Sequence, residues 1–120
     1  MAEYTDKQRI IQELVPGKQI TLAHIIANPD EILYKKLGLD PAVEYSKSAI
    51  GILTLSPAET AIIASDIAIK SSGAQLGFVD RFSGTVIITG TFSEVDASLR
   101  AVTQDAEQTL GFSVCKITKT

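Results

Sequence analysis

The stretch AIGILTLSPAET, residues 49–60, indicates how this chain is organised. Its first seven residues are almost all apolar, which is typical of a strand buried on both faces near the centre of a sheet. Three signals of a helix start follow. Ser56 suits the N-cap, Pro57 suits the first helical position, and Glu59 can return a hydrogen bond to the Ser56 amide. The stretch therefore predicts a central strand followed directly by a helix.

The segments after this stretch continue the pattern. The helix is predicted to run to about Ser72 and to end at Gly73, and apolar strands follow at residues 74–79 and 85–89. Ser93-Glu94-Val95-Asp96 then predicts the cap of a second long helix. That helix has one apolar face, formed by Val95, Leu99, Val102, Ala106 and Leu110. The closing sequence FSVCKIT reads as the last strand.

The order from Ala49 onward is therefore β-α-β-β-α-β. It predicts the α+β class with a ferredoxin-like arrangement, in which a four-stranded antiparallel sheet carries two helices on one face. Residues 18–27, KQITLAHIIA, predict a further strand, either added to this unit or substituting for its final strand. A short helix, started by Asn28-Pro29 and ended by Gly38, is expected next. Residues 39–48 are expected to form an exposed linker.

The composition argues against several classes of function. With 120 residues, 45% hydrophobic and 21% charged, the chain suits one globular domain with its own core. A net charge of -3 and a pI of about 5.0 disfavour nucleic acid, which requires a basic surface. No apolar run reaches the roughly 20 residues of a membrane span, and the N-terminus lacks a signal-peptide pattern. We therefore expect a soluble, cytoplasmic protein with no nucleic-acid or membrane partner.

Candidate catalytic and metal-ligating residues are few. His24, the one histidine, lies inside a predicted strand, which favours a hydrogen-bonded structural role over metal binding. Cys115 is the one cysteine, so an internal disulfide and a multi-cysteine metal site are excluded, and an inert thiol is favoured over a nucleophile. Phosphate-binding glycine loops and nucleophile-elbow motifs do not occur. We predict no catalytic residue, no metal and no cofactor, and hence no enzyme.

The segment GFVDRFSG, residues 77–84, contains more chemistry than a hairpin turn requires. A turn needs only Gly84 and one or two polar residues. This loop also contains an acid, a base, an aromatic ring and a hydroxyl, in Asp80, Arg81, Phe82 and Ser83. The composition suggests that another surface packs on the loop. Phe82 is expected to pack beneath the loop rather than to gate a passage.

Three ordered motifs, PGKQITLAHIIANP, AIGILTLSPAET and GFVDRFSG, resemble those of a bacterial microcompartment shell protein. The resemblance runs from about Arg9 to the C-terminus. The chain resembles the circularly permuted, single-BMC-domain type of shell protein from ethanolamine- and propanediol-utilisation compartments. The resemblance implies a circularly permuted BMC domain over residues 18–120 and cyclic hexamers that tile into a polyhedral wall. The implied partners are copies of itself, other shell proteins and encapsulated enzymes, at the microcompartment shell in the bacterial cytoplasm.

The resemblance also implies a functional site at the centre of the hexamer. A pore loop is expected at Asp80, Arg81, Phe82, Ser83 and Gly84. Residues 1–17 are expected to form an N-terminal extension, whose apolar pattern alone leaves a helix and a strand open. The resemblance favours a strand, six copies of which close a barrel over the pore through Ile10, Ile11, Gln12, Glu13, Leu14 and Val15.

One alternative comes from a different class of protein. A ferredoxin-like sensor domain that binds a small ligand between subunits would share the same predicted elements. It would form dimers or trimers, and its melting temperature would rise with ligand.

Overall fold

The computed structural model describes residues 17–120, which form six strands and three helices. The strands are β1 (Gln19–Ile26), β2 (Ala49–Ser56), β3 (Gln75–Asp80), β4 (Thr85–Gly90), β5 (Ser113–Val114) and β6 (Thr118–Lys119). The helices are α1 (Ile32–Lys36), α2 (Thr60–Ser71) and α3 (Phe92–Gln108). None of these helices has the length and apolar content needed to cross a membrane.

The strands form one mixed sheet in the order β3-β4-β2-β1-β5, with β6 also paired to β1. The α+β class is confirmed. The expected four antiparallel strands are present as β3-β4-β2-β1, and the two short strands β5 and β6 make the whole sheet mixed. β1 pairs antiparallel with β2 along its whole length, from Gln19 opposite Ser56 to Ile26 opposite Ile50. β5 and β6 are two-residue strands that run parallel to β1.

The aliphatic content of β1 explains this exchange. Its Ile20, Ala23 and Ile25 are buried in the main core, whereas the C-terminal segment contains the exposed Lys119 and suits an edge. The predicted last strand is therefore split into two short edge pairings. The position beside β2 belongs to β1, which answers the question that the sequence left open.

The main core lies between the sheet and the helix pair α2 and α3. It contains Ile20, Ala23 and Ile25 of β1, the odd-numbered residues Ala49, Leu53 and Leu55 of β2, and Val86 and Ile88 of β4. The predicted apolar face of α3 is confirmed, because Val95, Leu99, Val102 and Ala106 are all buried. Gly51 is required here, since a Cβ at this position would lie 2.7 Å from Cγ1 of Val95.

A second, smaller cluster covers part of the opposite face of the sheet. Tyr34 of α1 and Leu39 pack on Ile50 and Ile87. The Tyr34 and Tyr45 rings stack with centroids 4.4 Å apart, and their hydroxyls donate to the carbonyls of Ser48 and Asp40 respectively. Burial raises the pKa of both tyrosines. Residues 39–48 are therefore tied to the sheet at several points and are not simply an exposed linker.

The predicted starts of two helices are wrong. Ser56 stays in β2 opposite Gln19, so its side chain does not cap α2, which begins at Thr60. The first helix α1 begins at Ile32, whose N–H donates to Oδ1 of Asp30, so neither Asn28 nor Pro29 starts it.

The cap of α3 lies two residues before the predicted position. Thr91 is the N-cap; its Oγ1 accepts the Glu94 N–H at 3.2 Å, and Oε1 of Glu94 accepts the Thr91 N–H at 2.9 Å. The reciprocal pair satisfies two amides that helix geometry leaves free.

Candidate functional site

The loop between β3 and β4 contains the five residues that the sequence singled out. Asp80 ends β3, and the turn closes with a hydrogen bond from the Gly84 N–H to the Asp80 carbonyl at 2.9 Å. Gly84 has φ +80°, and a Cβ there would overlap the Leu55 carbonyl oxygen. Its own carbonyl accepts the Leu55 N–H at 2.8 Å, which joins the loop to the end of β2. Only glycine fits this position.

The Asp80 carboxylate holds the loop together from inside. Its Oδ1 accepts the Phe82 N–H at 2.9 Å, and its Oδ2 accepts the Ser83 hydroxyl at 2.8 Å. These donors, first the Phe82 N–H and then the Ser83 hydroxyl, lower the pKa of Asp80. The acid is therefore a structural part of the turn, which the sequence could not distinguish from a free carboxylate.

Removing one of these donors should change the titration of Asp80. Ser83→Ala is expected to raise the pKa of Asp80 towards its ordinary value of 3.8, because Oδ2 loses its hydroxyl donor. The folded-state pKa is the lower one, so the stabilisation by ionised Asp80 is complete above pH 3.8 and is lost as the pH falls through the lowered value. An NMR titration of the Asp80 carboxyl carbon measures the shift, with the exposed Ser93→Ala as control. Identical midpoints in Ser83→Ala and the parent would contradict the assignment.

Phe82 projects from the loop instead of packing beneath it, so that expectation is wrong for the single chain. Its side chain is 81% exposed, and the guanidinium of Arg81 lies 4.9 Å from the ring centroid. The ring borders an open notch of about 240 Å³ that is also lined by Ile62 and Val79. Sequence reasoning did not select these two residues, although the broad apolar arc of α2 was a signal that this helix faces more than one neighbour.

Strand β1 begins at the same end of the sheet as this loop. Gln19, at the start of β1, pairs with Ser56, and the adjacent Leu55 is bonded to Gly84. The six predicted barrel residues lie outside the described residues: Ile10, Ile11, Gln12, Glu13, Leu14 and Val15. Gly17 and Lys18, which precede β1, therefore lie at the end of the sheet that carries the loop.

The residues considered for chemistry elsewhere have structural surroundings. The ring nitrogens of His24 hydrogen-bond to the hydroxyls of Thr118 and Thr120, at 2.6 and 3.0 Å, which confirms the structural interpretation of this histidine. Cys115 is partly buried and packs against the main core. Within residues 17–120, His, Cys, Asp and Glu side chains do not gather in threes as a metal site would require.

Comparison with known proteins identifies the family. The family model for the BMC domain matches residues 49–118, from the start of β2 into β6. The bacterial microcompartment shell protein PduU of Salmonella typhimurium is 54% identical over 112 residues, 93% of either chain. The shell protein EutS of Escherichia coli is 48% identical over 114 residues, which cover 95% of this chain and 98% of EutS. This chain belongs to the BMC-domain family of bacterial microcompartment shell proteins.

The solved structures of this family agree with the fold. A flat hexamer of the shell protein CutR superimposes with a TM-score of 0.80 at 48% identity, over 93% of this chain and 99% of that one. The sensor-domain alternative finds no support among the relatives. The BMC-domain match begins at β2, so β1, α1 and the linker precede the matched residues although β1 is an integral strand of the sheet.

Proposed function

We propose that this BMC-domain protein is a structural wall unit that forms cyclic hexamers, and that these tile with other shell proteins around the enzymes of a bacterial microcompartment. The observation that carries the proposal is the flat hexamer formed by a protein 48% identical over 93% of this chain. The exposed apolar side chains of α2, β3 and the loop support it, since a free monomer would keep them in water. Light scattering tests it and should give six copies per particle at micromolar concentration.

The same proposal includes a circular permutation of the BMC fold. A ferredoxin-like unit ordinarily ends with a strand that lies antiparallel beside its first strand. Here β1, which precedes the unit in sequence, lies in that position against β2. We propose that residues 18–120 form the permuted domain and residues 1–17 an extension of it.

The loop from Asp80 to Gly84 is proposed to line the pore at the hexamer axis. The turn at the base of the loop is held in place, because the backbone of Gly84 is hydrogen-bonded to both Asp80 and Leu55. With Asp80 engaged inside the turn, the exposed chemistry of the loop is that of Arg81 and Phe82. Six copies of Asp80 and Arg81 would nearly cancel in charge, so the wild-type pore should discriminate weakly between anions and cations.

Arg81→Ala is expected to make the pore favour cations, because the six carboxylates of Asp80 then have no opposing charge beside them. The hexamer should stay intact, since the Arg81 guanidinium packs on the Phe82 ring of its own loop, 4.9 Å from the ring centroid, and is not part of the core. The reversal potential of hexamers inserted in a planar bilayer under a salt gradient measures the change. Lys36→Ala, on α1 at the other end of the domain, is the control. An unchanged reversal potential for Arg81→Ala would contradict the pore assignment.

The extension is proposed to supply one strand of a six-stranded barrel over the pore, through Ile10, Ile11, Gln12, Glu13, Leu14 and Val15. Two facts support it: the chain enters β1 at the loop end of the sheet, and an isolated apolar strand is a sticky edge that symmetry copies would close.

Deleting residues 1–15 should leave the hexamer assembled, because the described sheet and its core begin at Gln19. The deletion should also open one mouth of the pore and so increase the conductance of the pore. Mass by light scattering and conductance in a bilayer are the two measurements. A monomeric truncated protein would contradict the independence of the assembling core from the extension, and an unchanged conductance would contradict the barrel.

We propose no catalytic activity for this chain. Within residues 17–120, the polar groups that stood out in the sequence take part in turns, caps and strand pairing, as Asp80, Glu94 and His24 illustrate. Its place would be the shell of a microcompartment in the bacterial cytoplasm.

A further inference from the structure

An open cavity on the face of the sheet opposite α2 and α3 has no part in the proposed pore. Helix α1 and residues 38–46 enclose about 600 Å³ there. We name it the tyrosine cavity, and its lining includes Tyr34, Tyr45, Leu39, Val43, Glu31 and Glu44. The cluster beneath it rests on Ile50 of β2, which lies five residues from Leu55, or about 17 Å along the strand from the loop. The cavity is therefore a separate place on the chain.

Two stacked rings give the tyrosine cavity a fixed aromatic surface. Tyr34 is buried and packs on Ile50 and Ile87, and the Tyr45 ring stacks on it with the ring planes 7° apart. Both hydroxyls donate to backbone carbonyls, which holds the two rings in place without a ligand. Tyr45 is only half-buried, so it supplies most of the ring surface that a ligand can reach.

Carboxylates give the same cavity an acidic character. Glu31 and Glu44 line it, and the lining contains one cation, Lys35. Oε1 of Glu44 accepts the Ser46 N–H at 2.9 Å, which orients this carboxylate without neutralising it. The ion pairs found within residues 17–120 lie on α2 and α3, so no lysine or arginine of that part of the chain lies within 4 Å of either carboxylate. Both negative charges are therefore available to a ligand.

We infer that the tyrosine cavity binds a small organic cation, an ammonium group carried on an apolar body. An aromatic face attracts a cation through its quadrupole, and the two carboxylates add charge attraction. Leu39, Pro41 and Val43 supply an apolar wall for the body of the ligand. The volume lies in the range of roughly 300–1,000 Å³ that small-molecule sites occupy. All these residues belong to one chain, so the inference goes beyond the proposed hexamer and does not depend on it.

Three probes with the same ring and different charges test the class of ligand. Benzylammonium is the cation, benzyl alcohol is its neutral counterpart and benzoate is the anion. Ligand-observed NMR on the full chain measures the affinity of each probe. Benzylammonium should bind in the millimolar range, about threefold or more tighter than benzyl alcohol, and benzoate should bind weakest. No binding, equal affinities for the three probes, or tightest binding of benzoate would overturn the inference.

Removing the carboxylates tests which charges attract the cation. Glu31→Gln combined with Glu44→Gln should lower the benzylammonium affinity to about that of benzyl alcohol, because the amides keep the shape and lose the charge. Asp105→Asn combined with Glu107→Gln is the matched control, since it removes the same two charges from exposed positions on α3. The control should retain the affinity of the parent. Equal losses in the two double variants would show that the net charge of the chain attracts the ligand, and would overturn the site.

Tyrosine fluorescence locates the ligand on the stack. The chain has no tryptophan and three tyrosines, of which Tyr34 and Tyr45 form the stack. In a Tyr4→Phe background the emission therefore comes from those two rings only, and it should change with the same midpoint as the NMR titration. An emission that stays constant while benzylammonium saturates the protein would place the ligand elsewhere and overturn the site.

Substitutions of Tyr45 test the role of its ring. Tyr45→Leu should weaken benzylammonium binding about threefold or more, because the aromatic face is lost. Tyr45→Phe should retain the affinity, since the ring remains and only the hydrogen bond to the Asp40 carbonyl is lost. Circular dichroism establishes that both variants are folded. If Tyr45→Leu bound as tightly as the parent, or Tyr45→Phe bound as weakly as Tyr45→Leu, the ring face would not bind the cation and the inference would be overturned.

Discussion

Gly84→Ala is expected to lower the free energy of unfolding by about 3 kcal/mol or more. Two costs act together. The residue has φ +80°, where an L side chain is strained, and its Cβ would overlap the Leu55 carbonyl oxygen that belongs to β2. The loop would have to move away from β2, which would break the hydrogen bond between Leu55 and Gly84. Urea denaturation at fixed protein concentration measures the loss.

Gly38→Ala separates the two costs. Gly38 has φ +72°, but a Cβ there would have no atom within 4 Å. Only backbone strain therefore lowers the free energy of unfolding of this control, by about 1–2 kcal/mol. If the two variants were equally stable, the close approach of the loop to β2 would not be what requires glycine at position 84.

Leu99→Ala is expected to cost about 3–5 kcal/mol, because it removes a fully buried side chain from the centre of the main core and leaves a cavity. Leu99 lies on the α3 face that packs against the sheet, so its loss loosens the contact that holds α3 in place. Leu37→Ala is the matched control. Leu37 is 42% exposed, and its replacement should cost less than about 1 kcal/mol. A loss of under 1 kcal/mol for Leu99→Ala in urea denaturation would show that this core is not as tightly packed as the structure indicates.

The features that sequence reasoning predicted well depend on local patterns. The unbroken apolar run at Ala49 indicated the central strand, and the spacing of Val95, Leu99, Val102 and Ala106 indicated the buried face of α3. Both patterns arise because each buried position of a strand or helix requires an apolar residue, so the pattern of burial is visible in the sequence. The hairpin that contains Asp80 was likewise visible, because its turn residues interrupt two apolar strands.

The features that it missed depend on pairing between distant residues. Ser56 had every sign of a helix cap, but its pairing with Gln19 keeps it in β2. The C-terminal segment was predicted to form one regular strand. Because β1 lies beside β2, that segment forms only the short strands β5 and β6 on the outer side of β1. Tyr34 and Tyr45 stack although ten residues separate them in the sequence. No local pattern contains these contacts, since each requires the tertiary fold to bring the partners together.

The candidate site was predictable in its location and not in its internal roles. The five predicted residues from Asp80 to Gly84 do lie in one loop. The sequence did not show that the Asp80 carboxylate accepts two hydrogen bonds from within that loop. Nor did it show that Phe82 is exposed. Ile62 was missed because an isoleucine in an apolar helix is usually a core residue. Its exposure is a property of the isolated chain, and it points to a surface that copies of the chain would cover.

Electron cryomicroscopy of the full chain tests the central claim most directly, because it reports the number of copies and the position of the loop together. We expect a closed ring of six copies, about 77 kDa for six protomers of 12.8 kDa, with Asp80 to Gly84 of every copy facing the axis. A ring with this loop on its outer perimeter, or particles of one or two copies, would contradict the account.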